Sequence, residues 1–184
     1  NKNITFQQLY DYSKIKLNVY VTNLNKFSYE CYNYETHADM KVLEAIYRSC
    51  SLPFIFQPDC CQNEWIVDGG LINPYPIQQA LEKHNVEEIL GFKIKDEELS
   101  SCPENSSIFH FGYYVIMKLI RQNEKLNNSY DKNVKELIIP ATSMNIEDAK
   151  LLINSKIERQ RVFDLGKKYA KLFLTYQVSK EQNL

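Results

Sequence analysis

Apolar residues along the chain recur at two different spacings, and the changes between them mark out the elements. Phe6, Leu9 and Tyr10 sit at helical spacing behind Thr5, which suits a cap, so a short helix is predicted to about Tyr12. Leu17 to Leu24 (LNVYVTNL) is β-branched and apolar, and predicts a strand. Phe27 to Tyr34 alternates aromatic residues and predicts a second strand or hairpin partner. Asp39 reads as the N-cap of a helix whose stripe is Val42, Leu43, Ala45, Ile46 and Tyr47, ending near Cys50. Pro53 and Pro58 bracket an irregular stretch, Leu52 to Cys61. Glu64 to Val67 predicts a short strand that stops at a turn, and Pro76 suits the first position of a helix running to about His84.

The second half repeats the alternation. Glu88 to Lys95 predicts a strand with Gly91 inside it, Asp96 to Ser107 a loop, and Ile108 to Leu126 a long helix that is apolar over a wide arc. Asn127 to Lys132 reads as a turn, Glu136 to Ile139 as a strand stopped by Pro140, and Ile146 to Ile153 and Glu158 to Val178 as two closing helices. Leu165, Tyr169, Leu172 and Phe173 share one face of the last. Strands alternating with helices predict an α/β fold with a largely parallel sheet.

Composition narrows the reading. At 184 residues the chain suits one domain with a real core. Its formal charge of −1 gives no footprint for nucleic acid. No apolar run approaches the roughly 20 residues that span a bilayer. The start, Asn1 to Phe6, lacks both a signal-peptide core and an initiator Met, which predicts a piece of a longer protein. Five cysteines, at 31, 50, 60, 61 and 102, have neither disulfide-framework nor zinc spacing, and predict reduced thiols in a cytoplasmic protein.

The chemistry concentrates at Asp68-Gly69-Gly70, where two of only five glycines follow a carboxylate at the end of a predicted strand. Glycine permits positive φ and close backbone approach. A carboxylate there can hold the turn, bind a cation, or take a proton from a nucleophile. Ser49 and Ser51 flank Cys50 without the glycines a nucleophile elbow needs, which favours helix-end hydrogen bonding. Cys50 has only His37 nearby in sequence, and His37, His84 and His110 lack metal-ligand spacing. Asp96-Glu97-Glu98 lacks the spaced oxygens of a calcium loop. The helix Ile108 to Leu126 reads either as a cover for the sheet or as the wall of an acyl groove or a membrane-touching surface, with Lys118, Arg121 and Lys125 on its polar side.

Four stretches together resemble the second half of a patatin-like phospholipase domain. They are Thr5-Phe6 to Leu24; Asp39 through Arg48-Ser49-Cys50-Ser51-Leu52-Pro53 to Pro58; Asp68-Gly69-Gly70 through Asn73 to Pro76; and, more weakly, Arg161 through Leu165-Gly166 to Phe173-Leu174. The resemblance implies a three-layer α/β/α fold, here incomplete at its N-terminal side. Residues 1–100 would form the sheet core and 101–184 a mostly helical closing region. It also implies an esterase of phospholipids or neutral lipids with a Ser–Asp dyad and no metal cofactor. Asp68 would be the proton acceptor, turned toward the serine by Gly69 and Gly70.

Two departures qualify the resemblance. The sequence contains no G-x-S-x-G and no glycine-rich oxyanion loop, so the nucleophile is absent from this chain and the chain alone is expected to be inactive. Pro74 also stands where the family usually has a second Asn. The rival expectation is a catalytically dead patatin-like module that binds lipid or a protein partner. A half-domain would leave an open sheet edge and a bare apolar face, and so fold or dissolve poorly.

Overall fold

The computed structural model describes residues 3–61, 63–96, 101–127, 133–141 and 151–181. They fall into two units, residues 1–76 with 101–129, and residues 77–100 with 130–184.

In the first unit α1 (Phe6–Ser13) starts as predicted. Thr5 Oγ1 accepts from Gln8 N at 3.2 Å while Gln8 Oε1 accepts from Thr5 N at 3.2 Å, a reciprocal capping box. Thr5→Ala is expected to cost about 1 kcal/mol, read from the urea midpoint. Next come β1 (Val19–Asn23) and β2 (Ser28–Tyr32), an antiparallel hairpin in which Val21 faces Glu30. The side-chain oxygen of buried Asn23 caps its turn, accepting from Asn25 N at 3.1 Å and Lys26 N at 3.2 Å.

The helix α2 (Val42–Ser49) follows, but Asp39 does not cap it. Lys41 holds the N-cap position without a side-chain bond, because backbone just before α1 takes over. Val42 N donates to Ile4 O at 3.0 Å and Phe6 N to Met40 O at 3.1 Å. The segment read as irregular contains β3 (Asp59–Cys61), a strand paired antiparallel with β4 (Glu64–Asp68).

The four strands form one sheet in the order β2-β1-β4-β3, antiparallel throughout. Mixed helix and strand, α/β, therefore holds, but the parallel pairing predicted to dominate does not occur in this sheet. The connections explain two of the three pairings: β1 and β2 are joined by a tight turn and β3 and β4 by two residues, and links that short permit only antiparallel neighbours. Phe6, Val19, Val21, Tyr32, Val42, Ala45 and Ile66 make the core beneath α1 and α2. A 3₁₀ turn (Gly69–Leu71) follows β4, and α3 (Ile108–Asn127) completes the unit.

The second unit holds a short helix α4 (Ile77–Leu81), β5 (Leu90–Asp96), β6 (Lys135–Ala141) and α5 (Lys156–Glu181). Here β5 and β6 pair in parallel, Leu90 against Lys135 through Asp96 against Ala141. Parallel pairing needs a long crossover, and this connection supplies one. Of the predicted helix Ile146 to Ile153, residues 151–153 are helical and 146–150 lie outside the described residues. No helix among the described residues is long and apolar enough to cross a membrane.

Candidate active site

Asp68 is the last residue of β4, in register with Val21 of central β1. Its backbone N donates to Ser51 O at 3.2 Å, which ties the strand end to the segment leaving α2. Its Oδ1 accepts from Gly70 N at 2.7 Å, capping the 3₁₀ turn. Among the described residues no other group donates to this carboxylate. Burial is the larger influence on it and holds the carboxyl above the usual carboxylate range; the Gly70 N–H works in the opposite direction.

Of the two properties of glycine that suit this turn, positive φ and close backbone approach, the second is the one at work. No described glycine has positive φ, so conformational freedom is not what the turn uses. Gly69 is there for space: a Cβ at that position would lie 2.6 Å from Tyr20 O and 2.8 Å from Tyr20 C, both backbone atoms of β1. A Cβ at Gly70 would lie 3.1 Å from Asp68 Oδ1.

The turn is held from several sides within the first unit. Asn73 N donates to Gly69 O at 3.1 Å, and Asn73 Oδ1 accepts from Tyr75 N at 3.2 Å, so the segment is ordered with Pro74 in place. Tyr29, stacked on Tyr20 at 4.9 Å, donates its hydroxyl to Asn73 O at 3.2 Å. Burial first, and then nearby groups including Asp68, push the Tyr29 phenol strongly upward, so it stays a donor. From α3, Asn123 Nδ2 donates to Leu71 O at 2.7 Å. Gly112 of the same helix leaves room for the ring of Phe54, whose backbone is left-handed at φ 71°. Thus α3 touches the Asp68 turn while Ile108, Phe109, Phe111 and Leu119 stay exposed.

Arg48 organises this region. It is buried, its Nε donates to Asp59 Oδ2 and its Nη2 to Glu44 Oε1, both at 2.7 Å. One side chain thereby joins α2 to the first residue of β3. The sequence held a signal for it: Arg48 falls on the stripe of Val42 and Ala45, facing inward. Removing one member of a buried pair costs roughly 3–5 kcal/mol. Glu44 and Asp59 are 43% and 33% exposed and can regain water, so Arg48→Met is expected to cost about 2 kcal/mol in a urea melt.

The other candidates behave structurally. Ser51 Oγ donates to Tyr47 O at 2.6 Å, the helix-end bond expected of it. Burial and then the Asp68 charge push the Cys50 thiol up, away from a reactive thiolate. His37 packs on Tyr32 at 4.1 Å, with its Nδ1 3.0 Å from Thr36 Oγ1. Among the described residues no three His, Cys, Asp or Glu side chains are grouped to hold a metal ion.

Residues 2–81 match the patatin-like phospholipase family. Over 85 residues the chain is 33% identical to a probable lipid hydrolase of Invertebrate iridescent virus 6, a stretch that is 46% of this chain and 29% of that protein. The chain therefore spans less than a third of the curated relative it matches. The family match includes Asp68-Gly69-Gly70 and stops at the end of α4; residues 161–174 lie outside it.

Proposed function

We propose, taking residues 2–81 as a patatin-like phospholipase region, that Asp68 is the proton acceptor of an acyl-lipid hydrolase whose serine lies outside these 184 residues. The observation that carries this reading is the state of the Asp68 carboxyl: half-buried at a strand end, desolvated, and bonded to the protein through one oxygen. A desolvated carboxylate is a stronger base than one in water, and a free oxygen gives a hydroxyl proton somewhere to go. In the proposed reaction a serine hydroxyl attacks the acyl carbonyl and Asp68 takes its proton. Asp68 then returns that proton to the departing alcohol as the ester bond breaks, and the acyl-enzyme is released by water. The substrates are ester-linked fatty acids of phospholipids or neutral lipids.

One observation favours a second reading. Oδ1 of Asp68 accepts from its own turn, so the carboxylate can serve as a cap alone, in a dead module that binds lipid or a partner. The two are separated by assaying ester hydrolysis with this chain and with the longest reading frame that contains it. Hydrolysis by the longer protein only supports the dyad. Turnover by the 184 residues alone would overturn the assignment of the serine elsewhere, and no turnover by either would favour the module.

A further inference from the structure

Phe54 is held in a conformation that its own chemistry does not favour. Its backbone is left-handed at φ 71°, which costs any residue that carries a Cβ and a bulky one most of all. Its side chain is 51% exposed, so burial in a core is not what offsets that cost. Its ring tip instead fits a notch that only glycine leaves. A Cβ at Gly112 of α3 would lie 2.6 Å from Phe54 Cζ, and 3.0 and 3.1 Å from Cε1 and Cε2. Phe109, about one turn earlier on the same helix, meets the ring edge-on, with centroids 6.5 Å apart and planes at 73°. A specific seat on α3 therefore holds the strain.

The seat closes a circuit of contacts around Asp68. Ile55 N and Phe56 N both donate to Leu52 O, at 3.1 and 3.0 Å, so Phe54 lies inside a tight turn. Ser51, the residue before that turn, accepts from Asp68 N through its carbonyl at 3.2 Å. On the other side Asp68 Oδ1 accepts from Gly70 N, and Leu71 O accepts from Asn123 Nδ2 of α3. Gly112 and Asn123 are eleven residues apart, close to three whole turns, so they lie on one face of α3. That one face touches both segments that hold Asp68: the Leu52–Phe56 turn through a ring, and the Gly69–Leu71 turn through a hydrogen bond.

We propose that Phe54 is a positioning residue for Asp68: with its ring seated at Gly112 it fixes the Leu52–Phe56 turn, and that turn fixes the Ser51 carbonyl to which the end of β4 is bonded. With the ring out of its seat, the backbone at Phe54 relaxes, the Ser51 carbonyl shifts, and the Asp68 carboxylate moves and takes up water. The consequence for hydrolysis rests on Asp68 being the proton acceptor; the consequence for the Asp68 backbone does not.

Two variants unseat the ring while favouring the elements they sit in. Phe54→Gly removes the ring and the left-handed strain together. Gly112→Ala fills the notch, from which the ring end can swing aside, and its methyl suits the helix. Both should therefore melt near the wild type. The test is amide hydrogen exchange, read by mass spectrometry, on the longest reading frame that contains this chain. Peptides covering residues 64–71 are expected to exchange about tenfold faster in each variant, with α1 peptides unchanged. The double variant should exchange no faster than either single one, because both remove the same contact. In ester hydrolysis each variant is expected to lose roughly 10- to 100-fold in kcat with KM little changed. The limb of the pH profile should fall toward that of an ordinary aspartate, a shift that a merely structural role would not produce. Wild-type exchange at 64–71, faster exchange spread equally over α1, or additive effects in the double variant would each overturn the proposal. So would a wild-type kcat and pH profile in variants whose exchange has risen. No hydrolysis by the unsubstituted protein would sink the proton-acceptor reading instead, and the exchange rates would still decide whether Phe54 positions Asp68.

Discussion

Replacing Asp68 by Asn is expected to lower ester hydrolysis by the protein that carries this chain 10²- to 10⁴-fold, the range for removing a general base. The amide keeps the shape and keeps an oxygen for the 2.7 Å bond from Gly70 N, but it cannot take a proton. The same change should not destabilise the fold. The Asp68 carboxyl is raised by burial, so its ionised form is the costly one in the folded state. The sign follows from linkage. A raised carboxyl binds its proton more tightly folded than unfolded, so its contribution to stability is most favourable at acid pH. That contribution declines as pH rises from the ordinary carboxylate value through the folded one. At neutral pH the wild type bears the full cost of a buried charge and Asp68→Asn does not. The variant should therefore melt at or above the wild-type temperature at neutral pH, with the difference vanishing toward acid. Loss of activity with a gain of stability separates a working base from a carboxylate kept only to cap the turn, whose loss would lower stability and leave turnover alone.

The second large effect concerns the adjacent glycines. Gly69→Ala is expected to cost about 3 kcal/mol, because its Cβ would sit 2.6 Å from a backbone carbonyl oxygen of the central strand. Nothing flexible can yield: the atoms met are backbone of β1, which pairs with β2 at Tyr20 and with β4 from Val21 onward. Gly70→Ala meets a side-chain oxygen at 3.1 Å, which can give by a few tenths of an ångström, so about 1 kcal/mol or less is expected. Urea unfolding of the two variants should rank them in that order. A milder Gly69→Ala than Gly70→Ala would mean that the approach of β4 to β1 is looser than described.

Local patterns in the sequence predicted local structure well. Thr5 capped α1, Leu17 to Leu24 contained β1, and Asp68 stood where a strand met its turn. What the sequence did not disclose depends on partners distant along the chain. Asp39 has the chemistry of a cap, but the carbonyl of Ile4, far away along the chain, takes the first free N–H of α2. Asp59-Cys60-Cys61 has no strand propensity of its own and becomes one by pairing with Glu64, Trp65 and Ile66. The direction of pairing in the four-stranded sheet is set by which strands meet, and the alternation of helices and strands carries that only through connection lengths. The site divides in the same way. Asp68 was legible because a carboxylate before two glycines is rare. Arg48 was legible only as an inward-facing helix position; its partner Asp59, 11 positions on, and the bond from Asn123 to Leu71, 52 positions apart, come from tertiary contacts.

The pH dependence of ester hydrolysis, wild type against Asp68→Asn, bears on the proton-acceptor role most directly. The wild type should show kcat/KM rising along a limb whose apparent pKa lies above that of an ordinary aspartate. The variant should stay low across the range, with no such limb. A variant that follows the wild-type profile at the wild-type rate would contradict the account.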